Sequence, residues 1–261
     1  YGDYARIIYN KVLYSADTLY TEWTLDKALQ EAIEANNIKS DPTYQHLQAQ
    51  IIYSQQRYDE AYQLFTDLTA TPQLRSEAFY EAAQCKANLQ APNAEIIALL
   101  DSAVAACPKP LTNMSAPYIL ARGRAYDGDG QYRKAIIDYY QYDSLMVGRA
   151  SDDFYYTRYQ CELNMRQYQQ ALNDIAHAAY INPLPTYFIE MASLQLRVNQ
   201  AENALRSLEI AERNAPDDAD IHIIRGLAYI QLKQKAEGIK ALEKAKELGD
   251  ERAQPLIEKY K

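Results

Sequence analysis

One short segment of the chain carries carboxylates at a spacing that could hold a metal ion. Residues 127–130 read Asp-Gly-Asp-Gly, which could open a calcium-binding loop, and Asp138 stands at the twelfth position of such a loop. The position that must be glycine in that loop is Tyr132. We therefore expect this segment to be a polar turn between two helices and predict no metal site there.

The histidines do not complete a catalytic or metal-binding motif. His46, His177 and His222 are far apart, and none has a metal ligand one helical turn away or a nucleophile signature beside it. The 8 glycines form no phosphate-binding loop of the GxGxxG or Walker type. We predict that the chain is not an enzyme and that it uses no cofactor and no metal.

The cysteines, the net charge and the apolar runs argue against zinc-binding, nucleic-acid-binding and membrane-spanning proteins. Cys85, Cys107 and Cys161 have no zinc spacing, so we expect buried or half-buried free thiols. With 35 acidic and 27 basic residues the net charge is -8, which disfavours nucleic-acid binding. No apolar run approaches 18 residues, so we expect no transmembrane segment. Because the chain begins at Tyr1 and not at a methionine, the sequence leaves open whether a signal sequence was removed. The location is therefore open between the cytoplasm and, if a signal sequence was removed, the periplasm or another extracytoplasmic space.

The sequence repeats itself about every 34 residues, and these repeats must position whatever site exists. The clearest copy runs from Asn164 to Pro183, and the segment from Gly130 to Tyr139 has the same register. The small residue at the start of the second helix of each copy recurs as Ala28, Ala61, Ile96, Ala135, Ala171, Ala204 and Gly238. One helical turn later stand Ala32, Phe65, Leu100, Tyr139, Ile175, Leu208 and Leu242. Small residues on the first helices are Ala49, Gly123, Ala192 and Gly226.

This pattern resembles the tetratricopeptide repeat family. The resemblance implies an all-α, right-handed α-solenoid of about seven helix-turn-helix repeats that forms a single domain over residues 1–261. The approximate repeats are 9–41, 42–75, 77–110, 116–149, 152–184, 185–218 and 219–252. A helix over 251–260 is expected to cap the last repeat.

The irregular positions give further expectations. The prolines fall between hairpins, in a first turn or in the turn within a hairpin, except Pro255, where the last helix either starts late, near Gln254, or bends. Residues 108–115 are rich in turn formers and predict a loop. Residues 1–21 predict one long helix followed by a turn at 22–24, and Gly249 is expected to stop the second helix of the last hairpin.

The resemblance also implies where a partner would bind, because the first helix of each hairpin lines the concave groove in this family. The inward residues of the first half would form a polar surface. They are His46, Gln50, Tyr53, Glu81, Asn88, Arg124, Asp127, Tyr156 and Gln160. Farther along, the inward positions are apolar: Ile189, Leu196, Ile223, Leu227 and Ile230. These five either form an exposed interaction patch or belong to the core, and helical apolar stripes usually face the core.

We therefore predict a non-catalytic protein–protein interaction scaffold that binds a peptide segment or partner protein in its groove. Two alternatives stay open. One is a self-associating structural component, which would make the chain a homo-oligomer. The other is the partner-recruiting arm of a longer enzyme or of a secretion or envelope protein. The carboxylate clamp of chaperone-binding members is not expected, because its Lys and Asn are absent from the matching positions.

Overall fold

The chain folds into antiparallel helical hairpins. The computed structural model describes residues 1–14 and 23–261, and the regular elements of those ranges are helices. The α-helices are α1 (Gly2–Tyr14), α2 (Leu25–Ile38), α3 (Pro42–Ser54), α4 (Tyr58–Leu68), α5 (Arg75–Asn88), α6 (Asn93–Ala106), α7 (Ala116–Gly128), α8 (Tyr132–Met146), α9 (Asp152–Asn164), α10 (Tyr168–Ile181), α11 (Pro185–Arg197), α12 (Ala201–Glu212), α13 (Ala219–Gln231), α14 (Lys235–Glu247) and α15 (Ala253–Tyr260). None of these helices is long and apolar enough to cross a membrane.

The helices form two compact units. Unit 1 (Tyr1–Met146) holds the hairpins α1–α2, α3–α4, α5–α6 and α7–α8, and unit 2 (Val147–Lys261) holds α9–α10, α11–α12, α13–α14 and the single helix α15. The seven hairpins formed by the described residues agree with the all-α repeat fold and with the predicted number of about seven repeats. The first hairpin begins at Gly2, before the predicted boundary at residue 9. That residues 1–261 act as a single domain stays a prediction.

The turn inside six of the hairpins has one recurring geometry. A residue with positive φ follows the first helix at Gln56, Gln90, Gly130, Arg166, Asn199 and Lys233. The next N–H donates to the carbonyl five residues back, as from Arg57 to Ile52 at 3.2 Å and from Gln200 to Gln195 at 2.7 Å. This is the Schellman arrangement, which satisfies carbonyls at the end of a helix. Glycine stands in this left-handed position only at Gly130, so the other five turns accept a conformational cost that neighbouring contacts must offset.

Small buried residues let the helices pack closely, as the repeat pattern predicts. Ala28, Ala61, Ala135 and Ala204 have 0% exposure, and Phe65, Tyr139, Leu208 and Leu242 fill the space beside them at no more than 1%. Burial of these side chains supplies the main favourable free energy of such a fold.

Gly226 lies where α13 and α14 pack closely together. A Cβ added there would lie 2.6 Å from Leu242 Cγ and 3.0 Å from the backbone oxygen of Gly238. We expect Gly226→Ala to lower the free energy of unfolding of unit 2 by about 1–2 kcal/mol, because overpacking strain of about 1–3 kcal/mol outweighs the helix-propensity gain of up to about 1 kcal/mol. Urea titration followed by circular dichroism measures this loss.

Gly128 is the matched control, because an alanine there should not lower the free energy of unfolding. A Cβ added at Gly128, near the end of α7, would meet no atom within 4 Å. Gly128→Ala should therefore leave stability unchanged or raise it by up to about 1 kcal/mol. A Gly226→Ala protein as stable as the Gly128→Ala protein would contradict the close helix crossing.

Several smaller predictions are confirmed. Pro42 and Pro185 open α3 and α11, and α15 starts late, at Ala253, so that Pro255 lies in its first turn. Gly249 follows α14 with φ +88°. The predicted loop 108–115 ends in a short 3-10 helix, Asn113–Ser115. The helix predicted over 1–21 is present as α1, and residues 15–22 lie outside the described residues.

The three cysteines are free and buried, as predicted. Burial raises the pKa of Cys85 to about 12, so its thiol stays protonated and unreactive at neutral pH.

Candidate functional site

The first helices of neighbouring hairpins lie side by side in unit 1. Asn88 Nδ2 of α5 donates to the Tyr53 hydroxyl of α3 at 2.9 Å, and the rings of Tyr80 on α5 and Tyr118 on α7 lie 5.1 Å apart. We call the surface formed by α3, α5 and α7 the first-helix face. Predicted residues His46, Gln50, Tyr53, Glu81, Asn88, Arg124 and Asp127 all belong to these three helices.

Three of the predicted residues meet in one hydrogen-bonded cluster. His46 Nε2 lies 2.5 Å from Glu81 Oε2, and Gln50 Nε2 donates to Glu81 Oε1 at 2.8 Å. Burial alone would lower the pKa of His46, but the hydrogen bond and charge of Glu81, aided by Glu77, outweigh it and raise that pKa above its ordinary value. The side chains of His46 and Glu81 are only 10% and 12% exposed, so the cluster is largely shielded from water.

A polar cavity of about 420 Å³ opens beside this cluster. Its wall combines α1, α3 and α5 with one core ring from α4. The lining residues are Tyr9, Asn10, Leu13, Tyr14, Gln50, Tyr53, Ser54, Phe65, Glu81 and Gln84. The Tyr9 hydroxyl lies 3.0 Å from Ser54 Oγ, which fixes α1 against α3 at this edge. Hydroxyl, amide and carboxylate groups therefore converge on one space.

A second cavity, of about 340 Å³, is lined by α5, α6 and α7 and is mostly apolar; we call it the α5–α7 cavity. Its lining residues are Tyr80, Ala83, Gln84, Ala87, Asn93, Ile96, Leu100, Ala121, Arg124 and Ala125. The alanines lie on facing helices, and their short side chains leave this space open. Gln84 lines both cavities, so the polar and the apolar space are neighbours on the first-helix face.

Three tyrosines of this face, Tyr53, Tyr80 and Tyr118, stay neutral. Burial raises the pKa of Tyr53 and of Tyr80, and burial together with Glu77 raises the pKa of Tyr118 to about 12. A neutral phenol can donate a hydrogen bond and present its ring at the same time, which suits contact with a peptide.

The segment 127–130 forms the end of α7 and the turn that follows it, as predicted. Asp127 Oδ2 accepts a hydrogen bond from the Tyr139 hydroxyl at 3.1 Å, and Asp129 Oδ2 accepts one from Gln131 at 2.7 Å. Asp127 therefore joins the two helices of its hairpin. Arg124 is exposed and lies at the α5–α7 cavity.

The predicted residues of unit 2 divide between an aromatic cluster and the core. Tyr156 stacks on Tyr159 with ring centroids 5.7 Å apart and lies 5.3 Å from the ring of Tyr187. Tyr159 donates to Glu190 at 3.1 Å, and burial is the main cause that raises its pKa. Gln160 is exposed on the same helix.

Of the apolar stripe of unit 2, Ile189 and Ile223 are buried, and Leu196, Leu227 and Ile230 are half-buried against the core, which favours the core alternative over an exposed patch. Ile189 and Ile223 are only 9% and 6% exposed. Leu196 packs on the core cluster around Leu208, and Leu227 and Ile230 pack on the cluster around Leu242. The physical reason is that these side chains turn toward the second helix of a hairpin, where they remove apolar area from water.

The sequence interpretation missed Tyr9, Glu77, Tyr80 and Gln84. Helical spacing from the predicted residue Glu81 could have revealed two of them. Gln84 lies three residues after Glu81 and Glu77 lies four residues before Glu81, so all three share one face of α5. Tyr9 lies in the terminal hairpin, where the repeat pattern is weakest.

Solved structures share this architecture. The chain resembles YrrB, described as a TPR protein with an unusual peptide-binding site, with a TM-score of 0.63 and 16% identity over 75% of this chain and 97% of that one. It resembles MamA with a TM-score of 0.58 and 18% identity over 69% of this chain and 94% of that one. It resembles a MamA segment from Desulfovibrio magneticus RS-1 with a TM-score of 0.50 and 20% identity over 56% of this chain and 83% of that one.

These similarities show that the chain has the tetratricopeptide-repeat fold. No protein-family model matches the sequence, and no curated protein matches it.

Proposed function

We propose that this protein is a non-catalytic interaction scaffold that binds an extended peptide segment across the first-helix face of unit 1. The observation that carries the proposal is the pair of neighbouring cavities that share Gln84, one polar and one apolar. A peptide can place an aliphatic side chain in the α5–α7 cavity while its backbone pairs with the polar groups beside it. The same fold accommodates a peptide-binding site in YrrB, which supports this use of the fold.

The chemistry of the face favours a peptide rather than a reacting substrate. The hydrogen-bonding groups around the polar cavity are amides, phenols, the Ser54 hydroxyl and one carboxylate, and burial raises the pKa of Tyr9 and of Tyr53. Amide side chains pair with peptide N–H and C=O groups, and tyrosine rings add contact area at low entropic cost. A peptide bound there would contact Gln50, Tyr53, Gln84 and Asn88.

A peptide-display selection on the intact chain tests the proposal. We expect selected peptides to share an aliphatic anchor, and Tyr53→Ala and Arg124→Glu each to weaken their binding about tenfold or more without changing the helical content. Isothermal titration calorimetry measures the affinity, and circular dichroism measures the helical content.

A variant that fills the α5–α7 cavity tests the aliphatic anchor more directly. Ala87→Trp puts an indole into the α5–α7 cavity without removing any polar group, so it should block the aliphatic anchor. Ala105→Trp, at an exposed position of α6 outside that cavity, is the matched control and should bind like the wild type. If the selected peptides bind Tyr53→Ala, Arg124→Glu and Ala87→Trp with the affinity of the wild type, the proposal is contradicted.

A further inference from the structure

A partly buried cluster on the first-helix face has the composition of a metal site. His46 on α3 and Glu77 and Glu81 on α5 each offer one ligand atom, and these three atoms lie within 4.8 Å of one another. His46 is 8% exposed, and both glutamates are half-buried. Among the described residues this is the group of histidine, cysteine and acidic side chains that could hold a metal ion.

Acidic and basic groups both act on this cluster. Glu77 and Glu81 stand one helical turn apart, so their carboxylates repel each other. His46 can offset one of the two charges, and the positive charge of Arg6 on α1 acts on the same imidazole. Glu77 accepts no hydrogen bond from any described residue, unlike Glu81. A divalent cation would offset both carboxylates at once.

The distances fit such an ion after a small shift. Tetrahedral ligands at about 2.0–2.2 Å from a zinc ion lie roughly 3.4 Å apart. His46 Nε2 and Glu81 Oε2, which now share a proton at 2.5 Å, must move apart by about 1 Å. The Glu77 carboxylate oxygen, which lies within 4.8 Å of both ligand atoms, must move closer to them. The proton leaves to solvent when the ion enters. Gln50 already fixes Glu81 by donating to its other oxygen, which keeps that carboxylate oriented.

We propose that His46, Glu77 and Glu81 bind one divalent transition-metal ion of the zinc type. One imidazole nitrogen and two carboxylate oxygens are ligands that zinc accepts, and they leave a fourth position for water or a donor atom of a bound partner. The ion would clasp α3 to α5 and thus the second hairpin to the third. The three protein ligands are present in the chain without a peptide, so metal binding can be measured with no peptide bound.

Zinc titration of the metal-free full chain tests the proposal, with magnesium as the comparison ion. We expect one zinc ion per chain, and at least tenfold weaker affinity in both Glu77→Gln and His46→Gln. Glu34→Gln, at an exposed position of α2 and with no hydrogen-bond or ion-pair partner among the described residues, is the matched control and should stay within about twofold of the wild type. Glu77→Gln removes no hydrogen bond present in the structure, so this variant remains informative if His46→Gln fails to fold.

Cobalt supplies a readout that identifies the ligands. A tetrahedral cobalt complex of nitrogen and oxygen ligands should show intense visible bands without the near-ultraviolet band of a thiolate. Equal zinc affinity of wild type and Glu77→Gln would overturn the proposal. So would a thiolate band, which would place the ion on a cysteine, and so would magnesium binding as tight as zinc binding.

Discussion

Arg158→Met should lower the free energy of unfolding of unit 2 by about 3–5 kcal/mol, because it leaves a buried carboxylate without its counter-charge. Arg158 of α9 and Asp174 of α10 are each 5% exposed and join through two hydrogen bonds of 2.5 and 2.7 Å. The guanidinium also lies 5.2 Å from the ring of Phe154 and 5.3 Å from the ring of Tyr155. Urea unfolding followed by circular dichroism measures the loss.

Two further variants separate the ion pair from other effects. Arg206→Met, at an exposed position of α12, should change stability by no more than about 0.5 kcal/mol. Arg158→Met combined with Asp174→Leu should recover much of the loss, because two apolar side chains can replace a buried ion pair at little cost. A single Arg158→Met variant that unfolds like the wild type would show that Asp174 does not depend on this arginine.

Tyr139→Ala should destabilise unit 1 by about 3–5 kcal/mol, the range for truncating a large aromatic side chain in a core. Tyr139 of α8 has 0% exposure, and its ring packs where Gly123 of α7 leaves room, since a Cβ on that glycine would lie 2.9 Å from the ring. The truncation removes this contact and the hydrogen bond to Asp127. Thermal and urea unfolding both measure the effect.

The neighbouring tyrosine is the matched control for this truncation. Tyr140 is 46% exposed, so Tyr140→Ala should cost no more than about 1 kcal/mol. Tyr139→Phe keeps the ring and removes only the hydroxyl, and should cost about 1 kcal/mol. If Tyr139→Ala and Tyr140→Ala lost equal stability, the assignment of Tyr139 to the core would be contradicted.

Arg122 and Arg158 show that the repeats reuse an ion pair as well as apolar packing. Arg122 of α7 donates to both oxygens of Asp138 of α8 at 2.8 and 2.7 Å, with the same spacing of sixteen residues as the pair Arg158–Asp174. Both pairs tie the first helix of a hairpin to its second helix. The pattern of apolar residues does not reveal these ion pairs. A charged residue in a helix is expected to face solvent unless its partner is known.

The sequence determined the repeat fold, because its signals are local and each recurs several times. Small residues at the helix crossings, prolines at the helix starts and the spacing of about 34 residues act between neighbours in the chain, so the hairpins could be predicted. The tertiary structure decided the sites. Whether Ile189 and Ile223 face solvent depends on a rotation of α11 and α13 that periodicity does not fix, and the structure buries both. Likewise, only packing of α3 against α5 brings His46 to Glu77 and Glu81, which are more than thirty residues away in the chain. Contacts between hairpins depend on side-chain direction and helix crossing, and these are set by the packed core as a whole.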